Sequence, residues 1–228
     1  MKKILYLFVS GGIILIGGCG FMEKNVADMD PKDLPDVSAF QDDFTREFMT
    51  STEPVEDGYY EFESKTGGYT MNFPENALMS KGFYERKKDT FERFSFGEEI
   101  NQENSNIPYY VIATYDNFHK EKDSSRLLNL LSRAVNFEGE YEEFTHENNT
   151  IFFATSKSTT RNEETTWYEF FGTVISNKSN QSLEYIYSVK CEEPNGDCSY
   201  DLDAIEHKVK SLMKSVEFND VELEGGEG

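Results

Sequence analysis

Residues 165–190 carry the pattern that most restricts this chain. Residues 165–175 hold Trp167, Phe170, Phe171 and Val174, and residues 183–190 place Leu183, Tyr185, Tyr187 and Val189 on one face. Only a short polar stretch, residues 176–181, joins them. Apolar alternation with a period of two marks a strand, and a link that short joins only antiparallel neighbours.

The same signature recurs. Residues 59–63 can form a first strand. Gly67-Gly68 opens a second over 69–73, which Pro74 ends. Residues 82–87 and 90–96 read as a hairpin around Lys88-Asp89. In 109–115, Tyr109, Val111, Ala113 and Tyr115 alternate with Tyr110, Ile112 and Thr114, so a central strand covered on both faces is expected. Residues 141–145 and 151–156 flank a turn at Asn148-Asn149.

Two helices interrupt the strands. Asp123 or Ser124 caps one that runs to about Val135, with Leu127, Leu128, Leu130, Leu131, Ala134 and Val135 as a broad apolar stripe. The other closes the chain. Asp203 and Glu206 fit a capping box, and Leu202, Ile205, Val209, Leu212 and Val216 make a stripe. Lys208, Lys210 and Lys214 fall in its later turns, where the helix dipole favours cations. The fold class is therefore α+β: a single mostly antiparallel sheet with about two packed helices.

Gly68-Tyr-Thr-Met-Asn-Phe-Pro74 and the closing run Lys214-Ser-Val-Glu-Phe218 resemble the two ends of PsbP-like domains. That resemblance implies an α/β/α arrangement and identifies no site.

The N-terminus says where the protein works. Met1-Lys2-Lys3 is cationic, and residues 4–16 are apolar apart from Ser10, Gly11 and Gly12. The run is shorter than the roughly 20 residues a membrane-spanning helix needs, so it reads as a secretory signal. Ile16-Gly17-Gly18-Cys19 resembles the lipobox of bacterial lipoproteins. The resemblance implies cleavage after Gly18 and S-diacylglycerol and N-acyl groups on Cys19. It also implies a protein anchored on the cell membrane and facing outside the cytoplasm. An ordinary secretory signal that happens to contain a cysteine is the alternative.

The expected organisation is a signal peptide over 1–18, an acidic tether over 19–57, an α+β domain over 58–220 and a disordered tail over 221–228. Phe40, Phe44 and Phe48 recur at i+4 within the tether and suggest a short helix starting near Asp36. Its polar face carries Asp42, Asp43 and Glu47, which favours docking on the domain over lying on lipid.

Acids outnumber bases 43 to 22, for a formal charge of -21. Losing Lys2 and Lys3 with the signal leaves 43 against 20, or -23. Such a surface repels nucleic acid, so none is expected as a partner. The expected partners are the membrane, through the lipid on Cys19, and a protein or a cationic wall-associated partner.

Pro194-Asn195-Gly196 turns the chain between Cys191 and Cys198. Outside the cytoplasm this reads as a disulfide closing a small loop, with free thiols as the alternative. The Cys-x6-Cys spacing suits zinc poorly.

The chain contains no nucleophile elbow, no zinc-protease helix motif, no phosphate loop and no EF-hand loop. His119 and His207 sit among charged residues. Glu142, Glu143, His146 and Glu147 crowd one hairpin end and are the candidates for a divalent metal, weighed against an ordinary polar turn. No cofactor is expected. The favoured function is a non-enzymatic interaction or accessory domain. The alternatives are a secreted metal-dependent hydrolase, using acids and one histidine, and a solute-binding lipoprotein.

Overall fold

The structure, a computed structural model, describes residues 25–98, 107–117, 123–160, 165–191 and 199–220. It is α+β, and every strand pairing in it is antiparallel. The strands form two sheets, where the sequence suggests one. The strands are β1 (Tyr59–Glu63), β2 (Tyr69–Pro74), β3 (Leu78–Met79), β4 (Glu85–Lys87), β5 (Phe91–Glu98) and β6 (Tyr109–Asn117), then β7 (Glu142–His146), β8 (Asn149–Thr159), β9 (Thr166–Ser176), β10 (Gln181–Cys191) and β11 (Glu217–Phe218). Among the described residues, four α-helices accompany them: α1 (Ser38–Gln41), α2 (Asp43–Arg46), α3 (Ser124–Ala134) and α4 (Leu202–Lys214).

The large sheet runs β3-β5-β6-β10-β9-β8-β7, with β4 also on β5. The small sheet is β1-β2-β11. A two-residue strand and a pairing between the start and the end of the domain have almost no local signature, so the second sheet does not show in the sequence.

The inner face of the large sheet is the core. Val111, Ala113 and Tyr115 of β6 lie beside Tyr187, Tyr185 and Leu183 of β10, and all six are buried. The small sheet packs on this face. Phe62 stacks on Phe94 with ring centroids 5.1 Å apart, and Phe73 lies 4.9 Å from Phe96. Next to it, α4 covers β8 and β9 with Ile205, Val209, Leu212 and Met213 buried. Its cap is Asp201, whose carboxylate accepts from the Ala204 amide at 3.0 Å, so the cap falls two residues before the expected Asp203. Gly172 of β9 lets α4 approach closely, because a Cβ there would crowd the Met213 methyl and the Phe152 carbonyl.

The outer face carries α3, capped by Asp123 as expected. The predicted broad stripe is only partly used. Leu131 packs on Ala154 and Phe171, while Leu130 is 51% exposed. The layers are thus small sheet and α4, large sheet, α3.

The segment read as a tether is part of the domain. Val26, Ala39, Phe40, Phe48 and Met49 are buried in the main core. Phe48 stacks on Phe62 at 5.3 Å, and Phe40 meets Tyr60 edge-on at 4.7 Å. Docking is realised, but by α1 and α2 in place of one helix. The chain breaks at Asp42, whose carboxylate caps α2 by accepting from the Thr45 amide at 2.7 Å. The folded part therefore starts by Val26 and not at Gly58. Acids and prolines mask the segment in sequence, but they face water while the phenylalanines supply about 1.5–3 kcal/mol each on burial.

Candidate functional site

The register fixes what lies on the outer face of the large sheet. Pairings from β5 to β8 generate rows of side chains that cross the strands. One row is Gly97, Tyr110, Ser188, Glu169 and Ser156. The next is Ser95, Ile112, Ile186, Phe171 and Ala154, and its β8–β9 end lies under Leu131 of α3. A third is Arg93, Thr114, Glu184, Thr173 and Phe152. On the other side of the first row, Lys190 pairs with Trp167.

A cleft of about 430 Å³ opens over the first row, lined by Pro108, Tyr110, Trp167, Ser188 and Lys190, with Glu98 and Tyr109 at its rim. That volume falls within the range typical of small-molecule sites, but the cleft is shallow and open to solvent. Tyr110 stands on β6 and Trp167 on β9, one strand beyond β10. Their ring centroids are 6.1 Å apart and the planes meet at 76°, so they form a corner across Ser188. Tyr110 is 43% exposed, which corrects the expectation that β6 is covered on both faces.

The rim is held from the inner side. The Tyr109 hydroxyl donates to Glu98 Oε1 at 2.7 Å, and Lys208 Nζ of α4 reaches the same oxygen at 3.4 Å. Lys208 also sits 4.4 Å over the Tyr109 ring. Burial first, then the Glu98 charge, drives the Tyr109 hydroxyl well above its ordinary pKa, so it remains a donor.

Further along the outer face, Asp116 and Glu184 lie on neighbouring strands, diagonal to each other. Burial raises the Asp116 carboxyl to about 6 against a smaller opposing pull from Lys87. Burial also raises Glu184, with Arg93 lowering it and Asp116 pushing it further up.

The predicted metal candidates are not brought together. Strand alternation sends Glu142 and His146 to the α4 side of β7 and Glu143 to the other side. Glu142 is instead paired with Lys210 Nζ at 2.6 Å, and Glu147 occupies the turn with a φ of 50°. Among the described residues, no group of three or more His, Cys, Asp or Glu side chains is placed to hold a metal ion. His207 is exposed on α4, and His119 lies outside the described residues. Cys191 is disulfide-bonded and buried at the end of β10. Its expected partner Cys198, the expected lipid site Cys19, the signal over 1–18 and the tail over 221–228 lie outside the described residues.

Sequence reasoning names Tyr110 and Trp167 as strand residues but not as a site, and it does not single out Ser188 or Lys190. The available signal is a lone tryptophan at a position that alternation puts outside the core, but the pairing that joins it to Tyr110 is invisible in sequence.

These features define a single α+β domain of mostly antiparallel sheets with an aromatic cleft on its outer face. The chain belongs to the YvcA_Mog1p family, described as "Putative lipoprotein YvcA", whose model matches residues 35–217. A Bacillus subtilis (strain 168) protein bearing that same description is 32% identical over 239 residues, covering 96% of this chain and 97% of its own. A crystal structure from Bacteroides thetaiotaomicron VPI-5482 is similar with a TM-score of 0.39 and 13% identity, over 70% of this chain and 48% of that one. That similarity is too low to carry a conclusion about fold or function.

Proposed function

We propose that this protein is a lipid-anchored lipoprotein of the cell membrane, facing outside the cytoplasm, whose domain is a non-enzymatic binding or accessory module. The observation that carries the reading is Ile16-Gly17-Gly18-Cys19 behind a short cationic and apolar start, in a chain of a lipoprotein family. A diacylglycerol on Cys19 supplies two acyl chains, enough for durable anchoring where one chain is marginal. A binding role is supported by the aromatic cleft, where the Tyr110 and Trp167 rings stand beside the buried Ser188 hydroxyl.

Fractionation of cells expressing the Cys19→Ser protein tests the anchor. The wild type should sediment with membranes and partition into detergent. The variant should stay uncleaved or leave the membrane fraction. Processing and retention identical to the wild type would reject the reading.

A further inference from the structure

Ser188 is the polar group of the outer face that the fold does not account for. Its residue is 1% exposed, and among the described residues its hydroxyl has no hydrogen-bond partner. Buried polar atoms in folded proteins are nearly always paired, so an unpaired one needs an explanation. Ser188 lines the cleft, with Tyr110 directly beside it on β6 and the Tyr110–Trp167 corner across it.

The three strands beneath the cleft are interior to the sheet. Their backbone N–H and C=O groups serve the β6–β10 and β10–β9 ladders. An extended peptide recognised through its main chain would need a free sheet edge, which the strands beneath this cleft do not present; the edge strand β3 lies at the far end of the neighbouring cavity. Recognition in the cleft falls to side chains: two ring surfaces and a buried hydroxyl, flanked by Lys190.

The cavity does not end at Tyr110. A second one of about 510 Å³ shares Glu98, Tyr109 and Tyr110 with the first and runs to the exposed Leu78 at the sheet edge. An elongated occupant fits this shape better than a compact one. A formal charge of -21 disfavours a polyanion.

We propose that the cleft binds a neutral saccharide chain, with one pyranose ring packed in the Tyr110–Trp167 corner and a sugar hydroxyl paired with Ser188 Oγ. A pyranose has a face rich in C–H groups and a rim of hydroxyls. The C–H face meets the electron-rich ring faces, and the rim meets Ser188 and Lys190. This deepens the proposed binding role, but a solution test does not depend on where the protein is anchored.

Trp167 is the single tryptophan of the chain, so its emission reports on this cleft. The full-length processed protein in detergent is titrated with the β-1,4-linked tetramer of N-acetylglucosamine, with a proline-rich peptide and polyglutamate as comparison probes. A saturable change in emission is expected with the sugar and not with the other two. Tyr110→Ala should weaken binding about tenfold, by loss of ring contact. Ser188→Ala should weaken it by about three- to tenfold, the range of one hydrogen bond. Because the Ser188 hydroxyl is unpaired in the free protein, Ser188→Ala should leave the melting temperature unchanged or raise it. A role in folding alone would lower the melting temperature and leave affinity untouched. No saturable response to the sugar overturns the proposal, as does a response that both substitutions leave intact or one given by the peptide or polyglutamate instead. Any of these outcomes leaves the Cys19 anchor standing, because fractionation reads it separately.

Discussion

The Ser64 hydroxyl, just past β1, donates to Glu92 Oε2 on β5 at 2.6 Å, tying the small sheet to the large one through a carboxylate with no solvent exposure. The Lys65 amide and the Tyr84 hydroxyl donate to the other oxygen at 3.0 and 2.8 Å. Burial, and then the Glu92 charge, raises the Tyr84 and Tyr69 hydroxyls well above their ordinary range. Glu92→Ala removes the acceptor shared by the Ser64 hydroxyl, the Lys65 amide and the Tyr84 hydroxyl. It should cost about 3 kcal/mol or more in a denaturant melt. Glu92→Gln retains an acceptor oxygen and should cost clearly less. Equal losses would show that the network adds little beyond packing.

The N-terminal segment gives a second prediction. A chain starting at Gly58 loses Phe40, Phe48 and Met49 from the core, roughly 5 kcal/mol of apolar burial. That is comparable with the whole stability of a typical domain. Such a chain should be molten or insoluble, while one starting at Asn25 should melt cooperatively. Cooperative melting of the shorter chain would restore Gly58 as the boundary.

Much of the fold is legible in sequence because period-two alternation is local. The runs 109–115 and 183–190 become β6 and β10 with extensions of one or two residues, and 165–175 becomes β9 shifted by one residue. The readings that miss depend on distant partners. Phe40 and Phe48 look like a stripe on a tether until Tyr60 and Phe62 are placed beside them. The cleft is less legible still. Tyr110, Trp167 and Ser188 meet only because β10 lies between β6 and β9, an order that no spacing along the chain reveals. Glu142, Glu143, His146 and Glu147 fail the opposite way: adjacency in sequence suggests a cluster, and strand alternation separates its members.

Asp116 predicts an unusual pH dependence. Its folded-state pKa of about 6 lies above the ordinary 3.8. Between those values the native state holds a proton that the unfolded chain has released. Stability from this group therefore falls as pH rises through that window. Asp116→Asn should stabilise the protein at pH 7 by about 1 kcal/mol, after discounting for a half-exposed group. The gain should vanish below about pH 4. A gain of equal size at pH 3.5 and pH 7 would show that charge is not its cause.

The Cys191 bridge gives a fourth. If Cys198 is its partner, the closed loop is short and contributes at most about 2.5 kcal/mol. Cys198→Ser should leave Cys191 free to react with a thiol reagent after unfolding and lower the melting temperature modestly. A Cys191 that stays unreactive in that variant would assign the bridge to another cysteine.

The intact mass of the protein extracted from cell membranes tests the central claim most directly. Removal of residues 1–18 from the 228-residue chain leaves 210, beginning at Cys19. The account predicts the mass of that polypeptide plus a diacylglyceryl group, with or without one further acyl chain, and tandem fragmentation placing the lipid on Cys19. A full-length mass, or a cleaved chain bearing no lipid, would contradict it.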